Sequence, residues 1–226
     1  MKEEMGRRSF ILSSGAALAA GAVAAGNVTA VETAGEKKKV KILGIACSNR
    51  KGMTTAKAVQ LVLDSAKGVD PRIEVELIDL GGLKLSGYSK TPPEDDLTDI
   101  IPKLQDPSVG GIVIGSPCFY RGPSSVCKAF IERCAPLREP KMILQDKPVA
   151  SVAVGSFRYG GHDLVIKEIQ AAMLCFGMIP VGADHPAFQG ATLTQTKDDF
   201  SGDDIGIDTA RKIGARIAEM ALKLAS

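Results

Sequence analysis

The chain has 226 residues, of which 28 are basic and 26 acidic, and a hydrophobic fraction of 45%. This is ample for one ordinary packed core. The net charge of +2 argues against a nucleic-acid-binding protein, which needs a basic face, and against a dedicated soluble electron carrier, which docks through a strongly acidic surface.

The amino terminus has the organisation of an export signal. Arg7 and Arg8 precede an apolar run, residues 10–25, which is shorter than the roughly 20 residues of a bilayer span. This arrangement resembles a twin-arginine signal. Cleavage is expected after Ala30 or Ala34, and a retained amino-terminal anchor is the alternative.

The predicted domains are therefore a signal peptide, residues 1–34, and one folded domain, residues 35–226. We expect the mature protein to lie in the periplasm or another extracytoplasmic space, without a stable membrane span. Export in the twin-arginine manner usually follows folding around a cofactor, so the signal points to a bound prosthetic group.

Strand and helix patterns alternate five times after the signal. This alternation predicts an α/β fold with a five-stranded parallel sheet and helices on both faces. Residues 183–204 have no clear pattern and are expected to be irregular. The spacing of apolar residues predicts strands over 40–46, 72–80, 110–116, 148–156 and 178–182, and helices over 54–67, 94–105, 123–134, 164–176 and 205–224.

The segment between the first strand and the first helix, residues 47–57, has the composition of an anion site. The first amides of a helix lack intrahelical partners and face such a loop. Ser48, Thr54 and Thr55 can add hydroxyl donors, and Arg50 or Lys51 can add charge. The alternative is that these hydroxyls only cap the helix. We favour a phosphate monoester as the ligand.

Two later loops share the enrichment in glycine, hydroxyl and aromatic residues that marks the first. They cover residues 116–122 and 155–162 and follow the third and fourth strands. Ligands of parallel sheets bind beyond the carboxyl ends of the strands. The loops are therefore expected to converge with residues 47–55 on one ligand.

With these loops in view, the chain resembles the flavodoxin-like NADPH-dependent FMN reductases, and most of all their iron–sulfur flavoprotein branch. SPCFYRGPSSVCKAFIER at 116–133 is similar to the family pattern SPVYxGSxSxxLKAFIDR, and GMIPVG at 177–182 matches the family's following strand. The resemblance implies a three-layer sandwich with strand order 2-1-3-4-5. It also implies bound FMN, a nicotinamide donor, NADH or NADPH, and a homo-oligomer.

The resemblance assigns cofactor-binding roles residue by residue. The FMN phosphate would lie against the first loop, and the ring and ribityl chain would lie between the second and third. Phe119 or Tyr120 would pack on the ring, or one of them would only fill the rim of the sheet. The implied set is Ser48, Arg50, Thr54, Thr55, Ser116, Pro117, Cys118, Phe119, Tyr120, Gly155, Ser156, Gly160, Gly161 and His162.

Three positions leave alternatives open. His162 could bind the flavin or orient a substrate, or could simply be a solvated loop residue. Cys118 could be a redox-active thiol or an ordinary small loop residue. Residues 83–89, where the iron–sulfur branch carries its cysteines, contain none, so we expect neither a cluster nor another metal site.

These observations favour an FMN-dependent oxidoreductase in which the cofactor supplies the chemistry and no side chain is assigned a catalytic role. Electrons would pass from NAD(P)H to a quinone, a free flavin or another small acceptor. One alternative is an exported electron-transfer protein that exchanges electrons with a redox protein and does not use NAD(P)H. The second is a non-redox module that binds another phosphorylated ligand.

Overall fold

The computed structural model describes residues 38–91, 93–157 and 159–225. The predicted export signal, residues 1–34, lies outside the described residues. No helix in the described part of the chain is long and apolar enough to cross a membrane. The strands are β1 (Val40–Ala46), β2 (Ile73–Asp79), β3 (Val109–Pro117), β4 (Pro148–Gly155), β5 (Ile179–Pro180) and β6 (Ala191–Thr194), and the helices are α1 (Thr54–Lys67), α2 (Ile101–Leu104), α3 (Ser125–Arg133), α4 (His162–Leu174) and α5 (Asp204–Leu224).

All strand pairs in the sheet are parallel, and the strand order is β2-β1-β3-β4-β5. This confirms the flavodoxin-like order expected from the resemblance. The strand β2, with its alternating charged and apolar residues, lies at one edge, and the apolar strand β3 lies at the centre. The carboxyl ends of β1, β3 and β4 therefore face the same way.

Helices cover both faces of the sheet, as predicted. On one face, α1 and α5 contribute fully buried side chains such as Leu63 and Ile217. On the other, α3 and α4 contribute Phe130 and Ile169. Burying one such side chain stabilises the fold by about 1.5–3 kcal/mol, so the two apolar layers hold the strand ends in fixed positions.

The fifth position of the sheet holds two short strands, which differs from the predicted single strand. The strand β5 pairs with the start of β4, and β6 pairs with its end, from Val152↔Ala191 to Gly155↔Thr194. The expectation that residues 183–204 are irregular is thus wrong for β6. Four residues carry too weak a pattern to predict a strand, and it is the pairing with β4 that stabilises this one.

The predicted helix over 94–105 is wrong except for the single turn of α2. The Asp95 carboxylate accepts hydrogen bonds from the amides of Ser86 (3.0 Å) and Leu97 (3.1 Å) and forms a buried ion pair with Arg133. An aspartate that binds the backbone two residues ahead favours a turn over a helix. Pro102 lies in the first turn of α2 and prevents the helix from extending back toward residue 94.

Helices α1 and α5 approach so closely that Gly214 has no room for a side chain. An added Cβ would lie 2.3 Å from the carbonyl oxygen of Val62 and 2.7 Å from Cβ of Ser65. We expect Gly214→Ala to lower the free energy of unfolding by roughly 1–2 kcal/mol, because overpacking against a backbone atom 2.3 Å away lies toward the upper end of about 1–3 kcal/mol and exceeds the gain of about 1 kcal/mol in helix propensity. Chemical denaturation followed by circular dichroism measures the change.

The matched control is Gly202→Ala, since nothing lies within 4 Å of an added Cβ there. This variant should stay within about 0.5 kcal/mol of the wild type. Equal stability of the two variants would contradict the close packing of α1 on α5.

Candidate functional site

Three loops meet at the carboxyl edge of the sheet: loop A (residues 47–53), loop B (118–124) and loop C (156–161), which follow β1, β3 and β4. The Ser124 hydroxyl of loop B donates a hydrogen bond to the carbonyl of Cys47 in loop A at 2.7 Å. The Arg121 guanidinium of loop B donates to the carbonyl of Tyr159 in loop C at 2.9 Å. Side chains of loop B thus connect it to both other loops.

Loop A presents a helix start with unused donors. Met53 precedes α1, and no side chain caps the helix. Among the described residues, nothing accepts a hydrogen bond from the first amides of α1, Thr54 to Ala56. The side chains of Ser48, Thr54 and Thr55 are buried there. The alternative that these hydroxyls cap the helix has no support, and the arrangement suits an anion.

Two other donors of loop A already have carboxylate partners. The amide of Gly52 donates to Asp79 at 2.6 Å. The Arg50 guanidinium contacts Asp198 twice, at 2.8 and 2.9 Å. This pairing raises the pKa of Arg50 and lowers the pKa of Asp198. Arg50, predicted to face a phosphate, therefore lies in loop A as expected but faces a carboxylate in this structure.

Loop B begins with a tight turn between Phe119 and Gly122, whose backbones exchange two hydrogen bonds of 3.0 Å. The central residues, Tyr120 and Arg121, both have left-handed backbones, with φ of 49° and 68°, which is costly for non-glycine residues. The turn leaves Phe119 49% exposed and Tyr120 fully exposed. Neither aromatic ring fills the rim of the sheet, so both are available to a planar ligand.

Buried serines fix the base of loop B. The Ser116 hydroxyl accepts a hydrogen bond from the amide of Ser124 at 2.9 Å and donates to the carbonyl of Pro117 at 3.0 Å. The Ser124 hydroxyl accepts from the amide of Cys127 at 3.0 Å and so caps α3. Ser116, predicted to border the flavin, has its hydroxyl committed to this network, while Pro117 beside it is half-buried.

Loop C depends on glycines at close approaches. Gly161 has a left-handed backbone, with φ of 93°, and a Cβ there would lie 2.7 Å from Cα of Arg121. A Cβ on Gly155 would lie 2.8 Å from the His162 ring. The amide of Gly160 donates to the carbonyl of Phe157 at 2.9 Å. Gly161 thus lets loop C lie directly against loop B, and Gly155 leaves room for the His162 ring.

His162 is buried as the first residue of α4, and its Nε2 lies 3.1 Å from the carbonyl of Leu193 in β6. The interpretation as a solvated loop residue is therefore wrong. The sequence did not indicate that Leu193 would be its partner, because the strand β6 was not predicted. The ring lines a cleft at the same edge of the sheet, so a role in binding a ligand there stays a prediction.

Cys118 is half-buried in loop B, where its amide donates to the carbonyl of Val154 at 2.8 Å. Burial, together with the nearby Asp163 carboxylate, raises the pKa of its thiol to about 12. A reactive cysteine needs the opposite environment, which favours the thiolate. The geometry therefore supports the interpretation of Cys118 as an ordinary loop residue.

The sequence did not reveal the 195–199 hairpin, which follows β6 at the same edge. Its backbone turns between Thr196 and Asp199, and the Gln195 side chain donates to the hydroxyl of Ser156 in loop C at 2.5 Å. The run KDD at 197–199 was the only turn signal.

Beside this hairpin lies a cleft of about 1140 Å³. None of its lining residues belongs to loop A. Hydroxyl and carboxylate groups predominate in its wall, which is formed by Arg121, Tyr159, Gly161, His162, Asp163, Thr192, Thr194, Thr196, Asp199, Phe200, Ser201, Gly202, Asp203, Ile205 and Gly206.

The chain is similar to known proteins in sequence and in fold. A family model described as NADPH-dependent FMN reductase matches residues 40–192, more than half of the chain. The chain belongs to the NADPH-dependent FMN reductase family. Membership assigns it to the FMN-dependent oxidoreductases.

One relative is similar to this FMN reductase family member in sequence, and two solved structures are similar to it in fold. An iron–sulfur flavoprotein of Methanocaldococcus jannaschii is 32% identical over 192 residues, covering 80% of this chain and 97% of the relative. A flavodoxin, WrbA-like protein of Agrobacterium tumefaciens has a similar fold, with a TM-score of 0.57 at 17% identity over 82% of this chain and 98% of that one. RosB, solved with bound 8-demethyl-8-formylriboflavin-5′-phosphate, has a TM-score of 0.63 at 16% identity over 82% and 80%.

The name of the archaeal relative raises the question of an iron–sulfur cluster in this FMN reductase family member. Residues 83–89 contain no thiolate ligand. Instead, the amides of Lys84, Ser86 and Tyr88 donate to the carboxylates of Asp96, Asp95 and Glu132 at 2.7, 3.0 and 2.9 Å. Across residues 38–91, 93–157 and 159–225, no group of three or more His, Cys, Asp or Glu side chains could hold a metal ion. Residues 83–89 therefore offer no thiolate to a cluster, and the expectation that the chain carries none stays a prediction.

The pKa of Cys118 predicts slow alkylation. At pH 8 a thiol with a pKa of about 12 is ionised in only about one molecule in 10⁴, against roughly a quarter of unperturbed thiols. We expect iodoacetamide to label the exposed Cys175 well before Cys118 in native protein, as measured by peptide mass spectrometry. Asp163→Asn should speed labelling of Cys118 only modestly, since burial is the larger cause. Equal rates at Cys118 and Cys175 would contradict this account.

Proposed function

We propose that this chain binds FMN across loops A, B and C, takes electrons from NADH or NADPH and passes them to a small acceptor such as a quinone or a free flavin. One observation carries the proposal. The uncapped start of α1 shares one edge of the sheet with two loops that expose Phe119, Tyr120, Phe157 and Tyr159, in a chain of the FMN reductase family.

Loop A supplies what a phosphate monoester needs. The first amides of α1 point along the helix axis, and the helix dipole favours negative charge at this end. The buried hydroxyls of Ser48, Thr54 and Thr55 lie beside these amides and add neutral donors. Hydrogen bonds to a charged group contribute about 1.5–3 kcal/mol each, so a few of them suffice for a stable complex.

Loops B and C would hold the ring. The residues predicted to border it are Ser116 to Tyr120 from loop B and its preceding strand, with Gly155, Ser156, Gly160 and Gly161 from loop C and β4. The exposed aromatic rings suit the faces of an isoalloxazine, and backbone groups of the two loops would supply partners for its polar edge. Bound FMN would supply two-electron chemistry that no side chain here provides.

The cleft beside the 195–199 hairpin is the proposed place of the acceptor. At about 1140 Å³ it is somewhat larger than ordinary small-molecule pockets, which measure about 300–1,000 Å³. It borders loops B and C through Arg121, Tyr159 and His162. An acceptor there would reach the ring without passing loop A, and the buried His162 ring could donate to or accept from it.

Two rival functions remain distinct from this one. An electron-transfer protein would use the same FMN site but exchange electrons with a redox protein. The proposed export of the chain favours this rival, since reduced nicotinamides are scarce outside the cytoplasm. A protein found only in the cytoplasmic fraction would contradict export. A non-redox module would use loop A for another phosphorylated ligand.

The expected homo-oligomer also stays a prediction, which sedimentation tests.

The FMN site predicts that loop A hydroxyls distinguish FMN from riboflavin. Thr54→Val with Thr55→Val keeps the shape of both buried side chains and removes their donors. Titration followed by flavin fluorescence should show FMN binding weakened by at least about 100-fold and riboflavin binding unchanged. Gln60→Ala, farther along α1, is the control and should leave both affinities at the wild-type value. Wild-type protein that binds no FMN would exclude the proposed function.

The donor is tested by anaerobic mixing. If the chain accepts electrons from nicotinamides, NADPH or NADH should bleach the visible band of the FMN-loaded protein, and a quinone added afterwards should restore it. Dithionite is the control that shows the bound flavin to be reducible. A band that dithionite bleaches and neither nicotinamide affects would favour the electron-transfer protein.

A further inference from the structure

The pair of Arg50 and Asp198 joins loop A to the 195–199 hairpin. Two features fix the position of Asp198 in the hairpin. Its amide donates to the side-chain oxygen of Gln195 at 2.8 Å, and its backbone is left-handed, with φ of 63°. Gln195 in turn donates to Ser156. A continuous chain of hydrogen bonds thus runs from loop A through the hairpin to loop C, outside the strands that position those loops.

We propose that Asp198 competes with the phosphate of the bound flavin for Arg50, and thereby lowers the preference of the site for phosphorylated over unphosphorylated flavins. The proposal rests on the proposed function, because it requires a phosphate in loop A. It assigns to Asp198 a specificity-determining role that acts through Arg50.

The geometry of the pair supports competition. Both oxygens of Asp198 bind the guanidinium, which is the arrangement that a phosphate would also use. The side chains of Arg50 and Asp198 are 55% and 38% exposed, and an ion pair this exposed to solvent is weak. A phosphate at the start of α1 can therefore displace Asp198 from Arg50, but part of its binding free energy is spent on breaking the ion pair.

The negative charge of Asp198 also opposes phosphate binding at loop A. The pKa of Asp198 lies below its ordinary value, so the side chain is ionised at neutral pH. A fixed carboxylate beside loop A repels a phosphate dianion unless a cation screens it. When Arg50 turns to the phosphate, Lys57 on α1 is the other cation that acts on Asp198. Removing the charge of Asp198 should therefore favour the phosphate twice, by releasing Arg50 and by ending the repulsion.

Asp198→Asn tests the proposal, with FMN and riboflavin as the two probes. Asparagine keeps the left-handed backbone, so the hairpin should retain its shape. We expect the variant to bind FMN about two- to five-fold more tightly and to bind riboflavin as the wild type does. Fluorescence titration of the full-length protein measures both dissociation constants. Weaker or unchanged FMN binding would overturn the proposal.

Two further variants separate competition from general charge. Asp199→Asn removes the same charge from the same hairpin, but Asp199 binds Ser201 and not Arg50, so FMN affinity should stay close to wild type. In an Arg50→Gln background, Asp198→Asn should tighten FMN binding less than it does in the wild type, because only the relief of repulsion is left. Equal tightening by Asp199→Asn, or tightening by Asp198→Asn that is as large without Arg50 as with it, would overturn the proposal. Wild-type protein that binds neither flavin would overturn the proposed function itself, and this role with it.

Discussion

The parallel direction of β1, β3 and β4 is the constraint on which the site depends. Each strand ends at the same edge, so loops A, B and C meet although they are far apart in sequence. A strand of seven residues such as β1 is roughly 23 Å long. Reversing one of the three would therefore move its loop by about that distance, to the opposite edge. The helix start that suits an anion and the aromatic loops that suit a ring are neighbours only because of this direction.

The edge of the sheet is also where the backbone is least relaxed. Tyr120 and Arg121 both adopt left-handed conformations, and such residues cost of order 1–3 kcal/mol each. The apolar layers on both faces of the sheet offset this cost, since each contributes many fully buried side chains. The site is thus a strained rim on a well-packed base, which fixes the backbone of its loops.

The sequence was most informative where local pattern and tertiary structure agree. The apolar runs before Cys47 and Pro117 predicted the central strands correctly, and the loops after them followed from chain direction alone. It was least informative where a residue's partner comes from a distant, weakly patterned segment. The environment of His162 depends on Leu193, and that of Arg50 on Asp198. Both partners lie in or just after β6, whose four residues are stabilised by β4 and not by their own propensity.

Asp95 shows the same limit in another form. Its neighbours have helical spacing, but its carboxylate binds the amides of Ser86 and Leu97 and the buried Arg133. Because such a contact connects three separate segments, no short window of sequence contains it. Local propensity was therefore outweighed by a buried charge that needed partners.

The divided fifth position of the sheet has a consequence for how such a protein can diversify. Because β6 pairs with β4 alone among the described strands, and only along four residues, the wall it forms is built separately from the strands β1 and β3 that carry loops A and B. Substitutions or insertions in that wall can reshape what enters beside the cofactor while the rest of the sheet keeps its packing. A change of reaction partner is then open to this architecture without a change of prosthetic group.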